Sequence, residues 1–514
     1  MFAYIMRRLG ILLVILFGSS FILYNLAAIS GDPLEGLRTS SEPSAKQQII
    51  TLTRELQLNV PPPLRYFIWL RGILGLFVGH LDFGNARNGQ QVSGLVQHAI
   101  PVTIRLVTMA TIVAIVLGIT VGIVTALRQY SRFDYAMTFV SFLMYSLPVF
   151  WVAVLLKQYL AIRFNTFLAN PSVPLGWNIV FSVVSGIFWA GVISGSRTRV
   201  FQIFAAVAVG TGALLEALSL LKWFTHPGLG PIVIFGAGVG IAYGVTQLSV
   251  GLHNKSALRA SQVMALLGLI SYYPAQYFFK HSPHVSTLLL MALLTLGLGA
   301  GVGRFFAKID RGPVVRTTMI TGFVISLLML LDRLMQTWAP YMATDAVNGR
   351  PVPTIGQANS LLDQSDFWMS TLDTLMHLIL PTIALTLISF AGYVRFTRGT
   401  LLDVLNADYI RTARAKGLTE RTVIMRHAFR NTLIPLTTII VVDFAGIIGG
   451  AIITESVFGW VGMGTLFRQA IGSFDLNLLM AVFFITASLS VLANLIADLL
   501  YSALDPRIRV GAGK

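Results

Sequence analysis

Apolar runs of about twenty residues recur along the chain, separated by short polar turns. An α-helix needs ~20 apolar residues to cross a bilayer core, so each run reads as a candidate span. The runs are continuous and do not alternate as barrel strands would, so helices are predicted throughout. Twelve spans are predicted, near 9–29, 103–127, 136–162, 178–195, 200–221, 231–252, 258–279, 285–306, 315–336, 375–394, 433–454 and 479–501. Pro148 is expected to kink the third. Polar stretches at 30–102, 337–370 and 401–432 break the pattern. Within the first, the aromatic run Tyr66 to Phe77 is short and interrupted by Arg71. It is expected on the membrane surface or in a small exterior domain.

Charge orients the spans. Arg7 and Arg8, Arg128 and Arg132, Arg197 and Arg199, Lys255 and Arg259, then Lys308, Arg311 and Arg316 fall in turns on one side. The alternate turns of the middle block hold only Lys222, then Lys280 with His281 and His284. The positive-inside rule makes the arginine-rich side cytoplasmic, with both termini and the 401–432 stretch there and residues 30–102 outside. The whole chain of 514 residues is 55% apolar and 11% charged, with net charge +16. That excess sits in the inner turns, so nucleic acid is not an expected partner. Cysteine is absent, which excludes disulfides, thiol catalysis and Cys-based metal sites. The first run is too long for a signal-peptide core of about 7–15 residues and is kept as a span.

Small residues four apart (Gly118/Gly122, Gly236/Gly240/Gly244, Gly297/Gly301, Gly446/Gly450) predict close helix packing in lipid. The Gly297–Gly303 run lies within an apolar span with no preceding strand, so it is no nucleotide loop, and no P-loop sequence occurs anywhere. The histidines show no metal-like clustering beyond His281 and His284, and no metal site is expected.

The 401–432 stretch is the most distinctive. Leu402, Leu405, Tyr409 and Ala413 recur at three and four residues, predicting one apolar helix face, with Arg411, Arg414 and Lys416 on the other sides. Gly417 stands where that helix should stop. Thr419 is a plausible N-cap for a second short helix to about Arg430, with Glu420 in its first turn. Between Arg395 and Arg430 eight Lys/Arg oppose three acids, a net of +5. Attraction to anionic lipid, about 1 kcal/mol per basic residue, is one reading. It does not account for two helices around a glycine corner.

The run Asp408-Tyr409-Ile410-Arg411-Thr412-Ala413-Arg414-Ala415-Lys416-Gly417-Leu418, followed by Arg426-His427-Ala428-Phe429-Arg430-Asn431, resembles the cytoplasmic coupling loop of permease subunits of dipeptide/oligopeptide-type ABC importers. Gly31-Asp32-Pro33, Leu81-Asp82-Phe83-Gly84, Pro148-Val149-Phe150-Trp151, Glu455-Ser456-Val457-Phe458 with Trp460, Gly462 and Gly464, and Asp505-Pro506-Arg507-Ile508-Arg509 resemble that family's motifs in order. The resemblance covers about 1–162 and 370–514. It departs in one respect: such permeases usually have six spans, and residues 163–370 interrupt them with a block of about six more. An even number of extra spans preserves the orientation of the coupling loop.

The resemblance implies an all-α polytopic membrane protein with a type I ABC-importer permease core. Its segments would be a first span at 1–29, an exterior segment at 30–102, core spans at 103–162, the inserted block at 163–370, and a core with the coupling loop at 371–514. It implies a plasma (inner) membrane subunit that imports short peptides by alternating access. The implied partners are a second homologous permease subunit, two cytoplasmic ATP-binding subunits holding ATP and Mg, and an extracytoplasmic solute-binding protein. This chain itself would hold no cofactor and catalyse no reaction. Asp408, Tyr409, Arg411, Thr412, Ala413, Arg414 and Gly417 would form the contact with the ATPase. Glu455, Phe458 and Trp460 would lie on an exterior loop, Glu455–Asn477, that meets the binding protein or gates the path. Asp443 falls near mid-membrane, where a charge costs about 2.5–3.5 kcal/mol and normally faces a cavity or partner. It is expected to line the path or to pack against a polar neighbour. Lys157 is expected to snorkel at the outer surface. A self-contained secondary transporter or channel, a sensor or enzyme in the inserted block, and import of nickel or glutathione remain as alternatives.

Overall fold

The structure, a computed structural model, describes residues 2–193, 195–307 and 311–504. Helices dominate them, and the one β-type feature is an isolated bridge between Asn85 and Gln91. Among the described residues ten helices are long and apolar enough to cross a membrane, against twelve predicted. The remaining predicted spans, 258–279 and 433–454, are also helical, as Lys255–His281 and Phe429–Gly450. Each is long enough at ~1.5 Å per residue. They are more polar, the first carrying Lys255, Arg259 and Lys280 and the second Arg430 and Asp443. Lys308 and the Asp505–Arg509 motif lie outside the described residues.

The chain divides into two compact units, Met1–Leu160 with Thr354–Gln357 and His377–Lys514, and Ala161–Pro353 with Ala358–Met376. In the first, α1 (Phe2–Ser30) leads into a cap of short helices: α2 (Glu35–Arg38), α3 (Ala45–Glu55) and α4 (Pro62–Leu74). Proline in the first turn of α4 suits a position whose N–H has no helical partner. The 13 residues of α4 reach only ~20 Å, too short to cross. Its Tyr66, Trp69 and Ile73 are buried against Tyr24 of α1, with the Tyr24 and Tyr66 rings 5.5 Å apart.

The long helix α5 (Val92–Leu127) is the spine of this unit. Its 36 residues extend ~54 Å, so it runs well beyond a hydrocarbon core of ~30 Å. Val92, Val96 and Ala99 lie in the cap core at one end, and Ala126 lies beside Leu401 and Ile410 at the other. Ala110, Ala114, Gly118, Gly122 and Ala126 form a stripe four residues apart, all buried. A β-carbon on Gly118 would come within 2.5 Å of the Tyr393 β-carbon, and one on Gly122 within 2.7 Å of that of Thr397. Thr386 donates to the carbonyl of Ala110 at 3.2 Å. Residue numbers rise together along this contact, so α5 packs in parallel with the later helix Phe367–Leu405. Gly122→Val is expected to destabilise the chain by about 1–3 kcal/mol, read as a lower melting temperature in detergent. An unchanged melting temperature would contradict this packing.

Next come α6 (Arg132–Ser146) and α7 (Val149–Leu156). The kink predicted at Pro148 is a complete break, because Leu147 is extended (φ −78°, ψ 129°) and Pro148 precedes the first turn of α7. The predicted span 136–162 is therefore divided, and the stretch able to cross is Val149–Ala169, which includes a π-helical turn at Lys157–Arg163.

The second unit contains α8 (Phe164–Ala169), α9 (Leu175–Ile193), α10 (Arg197–Leu220), α11 (Gly230–Ser249), α12 (Lys255–His281), α13 (Val285–Phe306) and α14 (Arg311–Met342). Glycine packing is offset from the predicted register. Gly236, Gly240, Gly244, Gly297 and Gly301 face open space, whereas Gly299 and Gly303 lie against Met319, Thr318 and Val315 of α14. The fully buried Asp332 holds α11, α12 and α14 together. It accepts from the Leu229 N–H (2.6 Å), the Tyr272 hydroxyl (2.6 Å) and Gln336 Nε2 (2.9 Å). A carboxyl group can be buried here because donors surround it.

The chain continues as α15 (Phe367–Leu405), which enters the first unit at His377, then α16 (Asp408–Ala415), α17 (Glu420–Thr422), α18 (Phe429–Gly450), α19 (Ile452–Phe458), α20 (Met463–Gly472) and α21 (Leu476–Leu504).

Candidate functional site

The basic stretch forms a helical corner at the ends of α5 and α15. α15 stops at Leu405, and Ala407 is extended (φ −68°, ψ 148°) ahead of α16. The single apolar face predicted through Leu402, Leu405, Tyr409 and Ala413 is therefore divided between two helices. Tyr409 is exposed, and its hydroxyl accepts from Asn431 Nδ2 at 3.0 Å. Ala413 is buried as predicted and Ile410 takes the place of Tyr409; both pack with Ala126, Leu401, Val423 and Ala428, and Leu402 and Leu405 are partly buried against the same cluster.

Gly417 has φ +74°, the left-handed conformation that glycine adopts without penalty, and faces open space. Thr419 caps the next helix, its Oγ1 accepting from the Thr422 N–H at 3.4 Å. That helix does not end near Arg430. It passes through a π-helical turn, Val423–Ala428, into α18 without a break. Arg414 donates to Glu420 from Nε (3.1 Å) and Nη2 (2.7 Å), closing the corner with a two-pronged bridge. The guanidinium holds the Glu420 carboxyl below its ordinary range, and the carboxylate raises Arg414. Both side chains are about half exposed, so the bridge contributes under ~1 kcal/mol. Asp408 and Arg411 pair loosely at 3.5 Å, and Thr412 donates to the Asp408 carbonyl. The corner thus presents exposed cations outward while burying Ile410 and Ala413 on the helix ends.

Just before the corner, Asp134 at the start of α6 is buried and accepts from Arg398 of α15 at Nε and Nη2, both 2.9 Å. It also accepts from the Tyr130 N–H at 3.1 Å. Further along, Asp443 of α18 accepts from the Tyr393 hydroxyl at 2.7 Å. Of the two environments predicted for Asp443, the polar neighbour is present.

The predicted exterior loop is instead a folded pair, α19 and α20. Glu455, Phe458 and Trp460 are all at most 2% exposed, so they form core. Glu455 accepts from Thr103 Oγ1 at 2.6 Å and the Thr465 N–H at 3.0 Å, and Thr103 accepts from the Met463 N–H at 2.8 Å. A β-carbon on Gly464 would meet Ile452 Cα at 2.5 Å, and Gly459 takes φ +65° to turn the chain. Lys157 donates to the Val457 carbonyl at 2.9 Å. Burial is the largest influence on the Glu455 carboxyl and pushes it up, against the donors that lower it. Stability contributed by this group is full below the unfolded value of about 4.3 and falls as pH rises through the raised folded value. Glu455→Gln is expected to flatten this acid-side dependence in melting curves taken across pH. Identical pH profiles for the two chains would contradict it.

Residues 294–510 match the family model for the binding-protein-dependent transport system inner membrane component. This match lies in the C-terminal part of the chain. An oligopeptide transport system permease protein, OppB, of Mycobacterium tuberculosis is 39% identical over 188 residues, 37% of this chain and 55% of that one. A dipeptide transport system permease protein, DppB, of Escherichia coli is 44% identical over 138 residues, 27% of this chain and 41% of that one. The matched segments thus span about half the length of these relatives. A dipeptide transport system permease protein, DppB, of Alkalihalophilus pseudofirmus is 25% identical over 511 residues, 99% of this chain and 100% of that one. That alignment runs through the second unit as well.

In this chain the structure adds residues that spacing did not reveal. Val423 and Ala428 are five apart and share a buried face only because the intervening turn is π-helical. Asn431 and Glu420 brace the corner from outside the 408–417 run.

Proposed function

We propose that this chain is the membrane-spanning subunit of an ATP-driven importer of short peptides, and that the 406–431 corner is where its motor acts. The observation that carries the reading is the two-sided corner. Cations and Tyr409 face outward, while Ile410 and Ala413 are packed on the ends of α5 and α15. A push on α16 therefore acts on the spine of the first unit as a rigid contact. ATP and Mg belong to two cytoplasmic ATPase subunits, since this chain has no P-loop sequence. A second homologous permease subunit completes the path, and an extracytoplasmic binding protein delivers the peptide. Both termini and the corner lie in the cytoplasm, on the arginine-rich side of the plasma membrane. Peptide is the cargo named for the relatives above, and it is the cargo proposed here. Residues 163–370 are read as an insertion in the permease frame.

The reading is tested by co-purification and peptide uptake in the assembled complex. The chain is expected to bring down ATPase subunits and a second permease. Transport by the purified chain alone, without ATP, would reject the reading. Replacing residues 163–370 by a short linker is expected to leave ATP-dependent peptide uptake measurable. Loss of uptake with intact assembly would place part of the transport path in the block.

A further inference from the structure

In the first unit, α6 and α15 border a cavity of about 260 Å³, between Thr138, Ser141 and Tyr145 on one helix and Val394, Arg395 and Arg398 on the other. The two arginines differ. Arg398 gives both Nε and Nη2 to Asp134. Arg395, one turn earlier on α15, has no ion pair among the described residues. Its guanidinium lies 4.9 Å from the centre of the Tyr145 ring, a cation–π contact. Both side chains are exposed, so the fork is open to a ligand. The hydroxyls beside it are already used, Ser141 donating to the Met137 carbonyl at 2.7 Å and Thr138 to Asp134 at 3.4 Å. The Arg395 fork and the Tyr145 hydroxyl make no hydrogen bond among the described residues. On α6, Phe139, Phe142 and Leu143 are exposed at the spacing of one helix face. The 39 residues of α15 extend ~58 Å, nearly twice a hydrocarbon core of ~30 Å. With the excess shared between its ends, Arg395, ~15 Å short of Leu405, lies near a headgroup layer.

We propose that this cavity holds an anionic phospholipid from the leaflet on the arginine-rich side. The Arg395 fork takes two phosphate oxygens, which its planar geometry matches, and the Tyr145 hydroxyl is a further donor. One acyl chain lies along Phe142 and Val394. Charge complementarity selects the occupant. The cavity has two cations, and the one acid beside them, Asp134, is buried and engaged by Arg398. A basic pocket between spanning helices at this level suits an anionic headgroup. A zwitterionic lipid offers the same chains but brings its own cation next to Arg395. The bound lipid ties α6 to α15 beside the Asp134–Arg398 pair. The site does not depend on the chain being a transporter.

The test is native mass spectrometry of the full chain in detergent with equal amounts of dioleoylphosphatidylglycerol and dioleoylphosphatidylcholine. One phosphatidylglycerol is expected to stay bound at least fivefold more often than phosphatidylcholine. Arg395→Gln should bring the two lipids within twofold, and Arg395→Lys, which keeps the charge without the fork, should keep only part of the preference. Arg311→Gln, at an exposed cation of the second unit, should leave the preference unchanged. Free glycerol phosphate at the same concentration should not displace the lipid. Equal retention of the two lipids by the unsubstituted chain, or a full preference in both Arg395 variants, would overturn the proposal. Displacement by glycerol phosphate would overturn it by assigning the cavity to a soluble anion. A dimer of the chain that replaces the lipid adduct and is lost in Arg395→Gln would overturn it by assigning this face to a protein neighbour. Uptake is not the readout, so failure here leaves the transport reading standing and the converse also holds.

Discussion

Asp134→Ala is expected to cost about 3 kcal/mol of stability, the lower end for breaking a buried ion pair. Asp134 has almost no exposed surface and accepts two hydrogen bonds from Arg398, one from the Tyr130 N–H and a weaker one from Thr138. Removing it strands those donors. The lower end applies because the Arg398 side chain is 31% exposed and keeps some solvent access. Asp134 also fixes the entry to α6, where Ser131 caps the helix by accepting from the Asp134 N–H. Thermal unfolding in detergent checks the loss. Arg398→Met in the Asp134→Ala background should recover part of it, because the stranded charge is then gone. A double variant no more stable than the single would show that the pair matters only through Asp134.

The second large effect belongs to the glycine corner. Gly417→Trp is expected to reduce ATP-dependent peptide uptake to background while the chain still reaches the membrane. The left-handed φ costs a non-glycine residue about 1–2 kcal/mol, a local penalty at an exposed turn. A β-carbon on Gly417 would meet nothing within 4 Å, so the indole starts into open space. Its bulk therefore falls on whatever docks against α16. Gly417→Ala carries the backbone penalty without the bulk and should retain much of the uptake. Equal loss in both variants would assign the defect to backbone strain.

Much of this was legible in the sequence for a physical reason. Membrane helices must be long and apolar, so their positions appear in composition alone, and loop arginines predict their orientation. The glycine corner was legible because left-handed backbone favours one residue type. What was missed depends on partners distant in sequence. Glu455 looks like a loop acid until Thr103 of α5 is placed beside it. Arg65 looks like a surface charge until α1 and α21 cover α4. The glycine register in the second unit was missed because two stripes, Gly297/Gly301 and Gly299/Gly303, share one helix, and only the facing α14 selects between them. The break after Leu405 was hidden by apolar residues that continue the helical period across it.

The central claim is that a separate ATPase grips α16. The chain contains no cysteine, so Arg411→Cys introduces a single thiol, on a side chain that is 71% exposed. That thiol, labelled with a photoreactive maleimide in intact membranes, reports what touches the corner. The account predicts a crosslink to the ATP-hydrolysing subunit that is lost on adding Gly417→Trp. Crosslinks to lipid alone, with the ATPase present and uptake intact, would contradict it.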